Sequence, residues 1–155
     1  MHRVLVLGAG KIGALISGLL AESGSYKVQL GDIDGAAAEA VVRAHDTGNL
    51  LAFALDAANA VALARHLAKH PVDAVISSLP YYCNLGVAQA ARKARIHYFD
   101  LTEDVDVTRS VHTLAAGAGQ AFVPQCGLAP GFISIAAAEL ITHFEALRRG
   151  SGGNP

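Results

Sequence analysis

Short apolar runs alternate with amphipathic stretches along almost the whole chain, and the links between them are only a few residues long. The runs that read as strands are Arg3–Leu7, Lys27–Gly31, Leu50–Leu55, Ala74–Ser78, His97–Leu101 and Ala121–Gln125. Between them the spacing predicts helices over Lys11–Ser23, Gly35–Ala44, Ala57–His70, Leu85–Ala94 and Val105–Ala116, with a last one over Gly131–Arg149. Strands joined through helices by short links require crossover connections, and those crossovers cover both faces of a mostly parallel sheet. The expected class is therefore α/β, doubly wound, with about six strands in the order 3-2-1-4-5-6. Pro124 cannot donate to a sheet ladder, so the sixth strand is expected to be an edge, bulged or short. At 155 residues the chain suits one domain with a real core.

The first strand and helix are joined by Gly8-Ala9-Gly10-Lys11-Ile12-Gly13, and Asp32 ends the second strand-like run. Three glycines alone are a weak signal, but this strand, turn and helix order is the dinucleotide-binding fingerprint of a Rossmann fold in its proper context. Gly8 permits the tight turn, Gly10 lets backbone approach a pyrophosphate, and Gly13 lets the helix lie close to the sheet. The free N–H groups of Lys11 and Ile12 open a helix whose dipole favours negative charge. Val4-Leu5-Val6-Leu7 is an unbroken apolar run, as a strand buried on both faces requires. The following helix carries Ile12, Leu15, Ile16, Leu19 and Leu20 on one stripe, which reads as its core-facing side and ends near Gly24.

Asp32 is expected to accept hydrogen bonds from the adenosine ribose, with Ile33 beside it. A carboxylate there repels a 2′-phosphate, and Asp32-Ile33-Asp34-Gly35 contains no cation to neutralise one. NAD is thus favoured over NADP. The alternative structural reading has Asp34 capping the second helix while Asp32 merely ends a strand. Asp56, after the third strand, reads as a helix cap and secondarily as a cofactor contact. Ser77-Ser78-Leu79-Pro80 follows the fourth strand, beside the glycine turn in the proposed order, and its backbone and hydroxyls are cofactor candidates. Tyr81-Tyr82-Cys83-Asn84 continues that turn and reads more readily as packing. In Phe99-Asp100-Leu101-Thr102-Glu103-Asp104, Thr102 reads as a cap and the acids as dipole partners of the next helix. Cys126-Gly127-Leu128-Ala129-Pro130-Gly131 is the last distinctive loop, with Cys126 and Gly127 candidates for the nicotinamide side and Pro130 suited to the first turn of the final helix.

A net charge of −1 leaves no basic field for nucleic acid or anionic lipid. No apolar run reaches transmembrane length, and the N-terminal stretch is better used as strand, turn and helix than as a signal peptide, so a cytoplasmic protein is expected. Cys83 and Cys126 form neither a disulfide framework nor a zinc site. His66 and His70 lie one helical turn apart without an evident third ligand, and surface polarity explains them. GxxxxGK[ST] is absent, and no tyrosine is followed by lysine at the spacing of a short-chain dehydrogenase pair.

Taken together, Gly8–Gly13, Gly31-Asp32-Ile33-Asp34, Leu79-Pro80-Tyr81-Tyr82, His97-Tyr98-Phe99-Asp100-Leu101-Thr102-Glu103 and Cys126–Gly131 resemble the saccharopine dehydrogenase family, lysine 6-dehydrogenase-like members above all. The resemblance spans nearly the whole chain, and its last three motifs are the more specific. It implies an NAD(P)-binding domain over residues 1–150, followed by a substrate or dimerisation domain, and oxidation of a carbon–nitrogen bond of an amino acid by hydride transfer to nicotinamide. Ser151-Gly152-Gly153-Asn154-Pro155 reads as a flexible tail or a truncated linker to that absent domain. An amino-acid substrate is expected only where a second domain is present, and the family organisation also raises a homodimer. Two other readings stay open: a stand-alone nucleotide-sensing module similar to the regulatory domains of potassium transport systems, and a module that serves mainly in assembly.

Overall fold

In the computed structural model, residues 1–150 are described; the expectation of a tail or linker over residues 151–155 lies outside them. The elements run β1 (His2–Leu7), α1 (Lys11–Glu22), β2 (Tyr26–Asp32), α2 (Gly35–His45), β3 (Leu50–Ala54), α3 (Ala60–Lys69), β4 (Ala74–Ser77), α4 (Tyr81–Ala94), β5 (His97–Asp100), α5 (Val105–Ala115), β6 (Phe122–Val123) and α6 (Ile133–Gly150). All strand pairs are parallel, and the sheet order is β3-β2-β1-β4-β5-β6. The doubly wound order expected from the alternation is thus the one observed, and every strand delivers its C-terminal end to the same edge.

Successive strand residues point to opposite faces. Leu5 and Leu7 join Val75, Tyr98, Leu63, Val87, Ala91 and Val111 in the core beneath α3, α4 and α5. Val4 and Val6 join Val28, Leu30, Ala21 and Ala38 beneath α1 and α2. β6 is an edge strand of two residues, stopping before Pro124 for want of a donor.

Several local expectations are corrected by packing. In α1 the buried residues are Gly13, Ser17, Gly18 and Ala21, whereas Ile12, Leu15 and Leu19 are exposed. The helix lies so close to the sheet that small residues fill its innermost row, while Ile16 and Leu20 of the expected stripe pack, partly buried, against the core beside it. α3 starts at Ala60 rather than Ala57, because Asn59 accepts from the N–H groups of Val61 and Ala62 while Asp56 closes a turn on the N–H of Ala58. α4 starts at Tyr81 rather than Leu85, with Pro80 supplying the extended residue ahead of it. Asp104, rather than Thr102, caps α5 by accepting from the N–H of Val107; Thr102 accepts from the N–H of Asp104. The last helix starts at Ile133, after a wide turn over Leu128–Phe132 in which the N–H of Phe132 reaches the carbonyl of Gly127. His66 is not a surface residue: it is buried against Phe53 and His70, with Nε2 2.8 Å from Oε1 of Gln29, and burial followed by the neighbouring His70 lowers its pKa.

At the opposite edge of the sheet Arg3 holds Asp73 through its backbone N–H (2.8 Å) and guanidinium (2.6 Å). The guanidinium bond, then the backbone one, lower the Asp73 pKa from 3.8 to about 2. A carboxylate depressed on folding contributes stability above its unfolded pKa and loses it as the pH falls through the folded value. Asp73→Asn should therefore be less stable than wild type near neutrality, by no more than about 1 kcal/mol because both partners are partly solvated. Denaturant melts should show that difference vanishing as the pH falls from 3.8 to about 2.

Candidate dinucleotide site

The glycine turn joins β1 to α1 at the point where the strand order reverses, between β2 and β4. Gly8 has φ +97°, a conformation open to glycine at no steric cost. Its N–H donates to the carbonyl of Gly31 (2.8 Å), and the N–H of Ser78 donates to the carbonyl of Leu7 (2.9 Å), so both neighbouring strands clamp the turn. A methyl group at Gly13 would overlap the carbonyl oxygen of Gly8, which explains why α1 needs glycine there. Gly10 differs: a side chain there would meet open space, the space a pyrophosphate needs.

α1 carries no side-chain cap and no acidic residue in its first turn, so its leading N–H groups are left for an anion. α4 also opens without a capping side chain, at Pro80 on the other side of the switch point. By contrast α2, α3 and α5 are capped by Asp34, Asn59 and Asp104. Lys11 and Ile12 are exposed at the start of α1.

Asp32 joins the turn to the next βα unit. Its Oδ2 accepts from the N–H of Ala9 at 2.6 Å and its Oδ1 from the N–H of Asp34 at 2.8 Å. A carboxylate offers about four lone-pair sites, so acceptor capacity remains for ribose hydroxyls. Asp34 caps α2 on the N–H groups of Ala36 and Ala37, which leaves Asp32 free of that task. Ile33 is exposed beside them, and Arg43 pairs with Glu39 further along α2.

Across the switch point the two serines part company. Ser77 is fully buried and its hydroxyl donates to Oδ1 of Asn84 at 2.7 Å, so it faces the core rather than a ligand. Ser78 is only partly buried, and its Oγ lies near Gly13. Ser78, Leu79 and Tyr81 line a cleft of about 480 Å³ together with Ile12, Leu101, Thr102, Glu103 and Asp104. Pro80 sets the entry to α4. Asp56 is half-buried after β3, and Cys83, near enough to feel its charge, has its thiol pKa raised by burial first and by Asp56 second. Cys126 and Gly127 sit beyond β6, where a methyl at Gly127 would come 3.2 Å from the carbonyl of Leu101. Partial desolvation, then Asp100, raise the Cys126 thiol pKa, and its Sγ donates to the carbonyl of Val123. Among the described residues no group of three metal-ligating side chains comes together.

Residues 4–123 match the family described as the saccharopine dehydrogenase NADP binding domain. The chain belongs to that family. Solved structures that share its fold include apo saccharopine dehydrogenase (L-Glu forming) from Saccharomyces cerevisiae, 24% identical over 92% of this chain and 31% of that one, with a TM-score of 0.79. A myo-inositol dehydrogenase from Corynebacterium glutamicum is 16% identical over 92% of this chain and 42% of that one, TM-score 0.63. The WlbA dehydrogenase from Chromobacterium violaceum, solved with NADH and UDP-GlcNAcA, is 20% identical over 79% of this chain and 34% of that one, TM-score 0.63. This chain therefore spans between about a third and two fifths of the length of these enzymes. It is a nucleotide-binding domain of that family, of the kind that takes NAD(P). The sequence reading missed Tyr98 and Asp100 as a buried pair; the signal was two polar-tipped residues at alternate positions, hence on one face of β5.

The two glycines should separate by readout. Gly13→Ala should cost about 1–3 kcal/mol by overpacking, seen as a lowered melting temperature. Gly10→Ala should melt as wild type yet bind dinucleotide at least about tenfold more weakly in titration calorimetry. The raised thiol pKa values predict that Cys83 and Cys126 alkylate with iodoacetamide more slowly at neutral pH than a free cysteine, and that alkaline pH narrows the gap, as read by mass spectrometry.

Proposed function

We propose that this chain is the NAD-preferring cofactor domain of a cytoplasmic oxidoreductase that oxidises a carbon–nitrogen bond of an amino acid, working with a substrate domain. The observation behind the cofactor preference is the Asp32 carboxylate, wedged between the N–H groups of Ala9 and Asp34 at the end of β2. Its position is held from two sides, so it cannot easily turn away from a 2′-phosphate, and that charge favours NAD in this chain although the family is named for NADP. Membership of the saccharopine dehydrogenase family supports the reaction class.

In this reading the turn at Gly8–Gly13 and the N-terminus of α1 hold the pyrophosphate, Asp32 orients the adenosine ribose, and Ser78, Leu79 and the Cys126-Gly127 loop border the other half. Nicotinamide, when bound, supplies the hydride acceptor. The raised thiol of Cys126 leaves it a poor thiolate at neutral pH, so no base is assigned to it. Groups that recognise the amino acid belong to the second domain.

Titration with NADH and NADPH tests the preference. Wild type should bind NADH more tightly, and Asp32→Ala should lower the NADH:NADPH affinity ratio by about tenfold, the size of a lost charge-assisted hydrogen bond plus a relieved repulsion. Taking the ratio cancels any loss from freeing Ala9 and Asp34. An unchanged ratio would remove Asp32 from the recognition of ribose. Binding without lysine-dependent reduction of NAD is the expected behaviour of the domain by itself.

A further inference from the structure

Asp100 ends β5 with no exposed surface, and four hydrogen bonds converge on it. Oδ2 accepts from the hydroxyl of Tyr98 at 2.6 Å, and Oδ1 accepts from the N–H of Thr102 at 2.9 Å and of Gln125 at 3.3 Å. Its main-chain carbonyl accepts from the N–H of Cys126 at 2.8 Å. One residue thus binds its own strand, the β5–α5 loop and the loop that follows β6. Tyr98 lies on the same strand face, its hydroxyl 3.2 Å from the carbonyl of Asn84, and Asn84 in turn receives the hydroxyl of Ser77, the β4 residue in register with Asp100. Burial, then Asp100, keep the Tyr98 hydroxyl protonated well beyond its ordinary range, so it remains a donor.

The loop after β6 has little freedom to settle elsewhere. Gln125 sits at φ +63°, left-handed for a residue with a side chain, and both it and Cys126 are fastened by N–H bonds to Asp100. A methyl at Gly131 would come 2.7 Å from the carbonyl oxygen of Gln125, so the loop is folded closely on itself. Its neighbour, Leu101–Asp104, is the wall of the cleft that faces Ile12 and Ser78. Asp100 itself does not line that cleft. Nor does it share a hydrogen bond with Ala9, Asp32 or Asp34 in the other half of the crevice.

We propose that Asp100 is a positioning residue for the half of the dinucleotide that lies over β4–β6: without touching the ligand, it sets where the wall made by residues 101–104, backed by the loop 125–127, stands. The proposal rests on the reading of this chain as a dinucleotide-binding domain. In a doubly wound sheet the two mononucleotide halves straddle the switch point, and the glycine turn and Asp32 place adenosine over β1–β3. Loss of Asp100 therefore acts on one half of the ligand only.

The full chain, titrated with ADP-ribose and with NADH, separates this from general destabilisation. In Asp100→Ala the affinity for ADP-ribose should stay within about twofold of wild type while that for NADH falls at least about fivefold, with a smaller enhancement of bound NADH fluorescence. Asp100→Asn keeps the shape and an oxygen for Thr102 and Gln125, while Tyr98 can turn its proton to the Asn84 carbonyl, so it should recover most of the loss. Should Asp100→Ala not fold, Tyr98→Phe removes a single hydroxyl and should still weaken NADH selectively. Equal weakening of both ligands in the folded variants, or no change in either, would overturn the proposal. Wild type that binds neither ligand would instead sink the dinucleotide reading, and this inference with it.

Discussion

The close contact of Gly13 with the carbonyl of Gly8 is the constraint on which the rest of the crevice depends. It brings α1 against the end of β1, and with that the helix's leading N–H groups point into the space above the switch point. The same approach leaves the innermost row beneath α1 to the small residues Gly13, Ser17, Gly18 and Ala21, with Ile16 and Leu20 packing at its side. Strand pairing then locks the turn from both sides, through Gly31 and Ser78. A turn held this way needs no ligand to shape it, so little ordering cost remains for binding.

Electrostatics follow the same division of labour. Three of the helices, α2, α3 and α5, are closed by the side chains of Asp34, Asn59 and Asp104. The two that flank the switch point, α1 and α4, are left open. Unsatisfied N–H groups are unfavourable where nothing meets them, so their concentration at one point is a statement about what that point receives. Asp32 supplies a carboxylate fixed beside the turn, and its bond from the N–H of Ala9 also ties the end of β2 to the turn after β1. The contacts that would receive a ligand on this side of the switch point are thus also contacts of the fold. On the other side a buried carboxylate, Asp100, fastens two loops, of which Leu101–Asp104 lines the cleft.

How much of this was legible can be argued residue by residue. Strand order followed from alternation and short links, because crossover geometry admits few arrangements. Gly8, Gly13, Asp34 and the shortness of β6 were readable because each acts on residues next to it in sequence. The face of α1 was read only in part: Ile16 and Leu20 pack against the core, but Ile12, Leu15 and Leu19 are turned out, because the distance between helix and sheet favours the glycines on the innermost row. Asp56 and Asn59 are both good caps, and the choice between them is made by where β3 ends. Ser77 and Ser78 are chemically alike; the pleat decides which one meets Asn84 and which one faces Gly13.

By itself the sequence determined the class of fold, the strand order, the glycine turn and the carboxylate beside it. These depend on periodicity and on missing side chains, which are local properties of the chain. Tertiary structure alone decided that Asp100 is buried, that Tyr98 and the N–H groups of Thr102 and Gln125 meet on it, and that Ile12 and Leu101 come to line one cleft. Each of those depends on the register of parallel strands that are distant in sequence, and a register is fixed only when the whole sheet closes its hydrogen bonds.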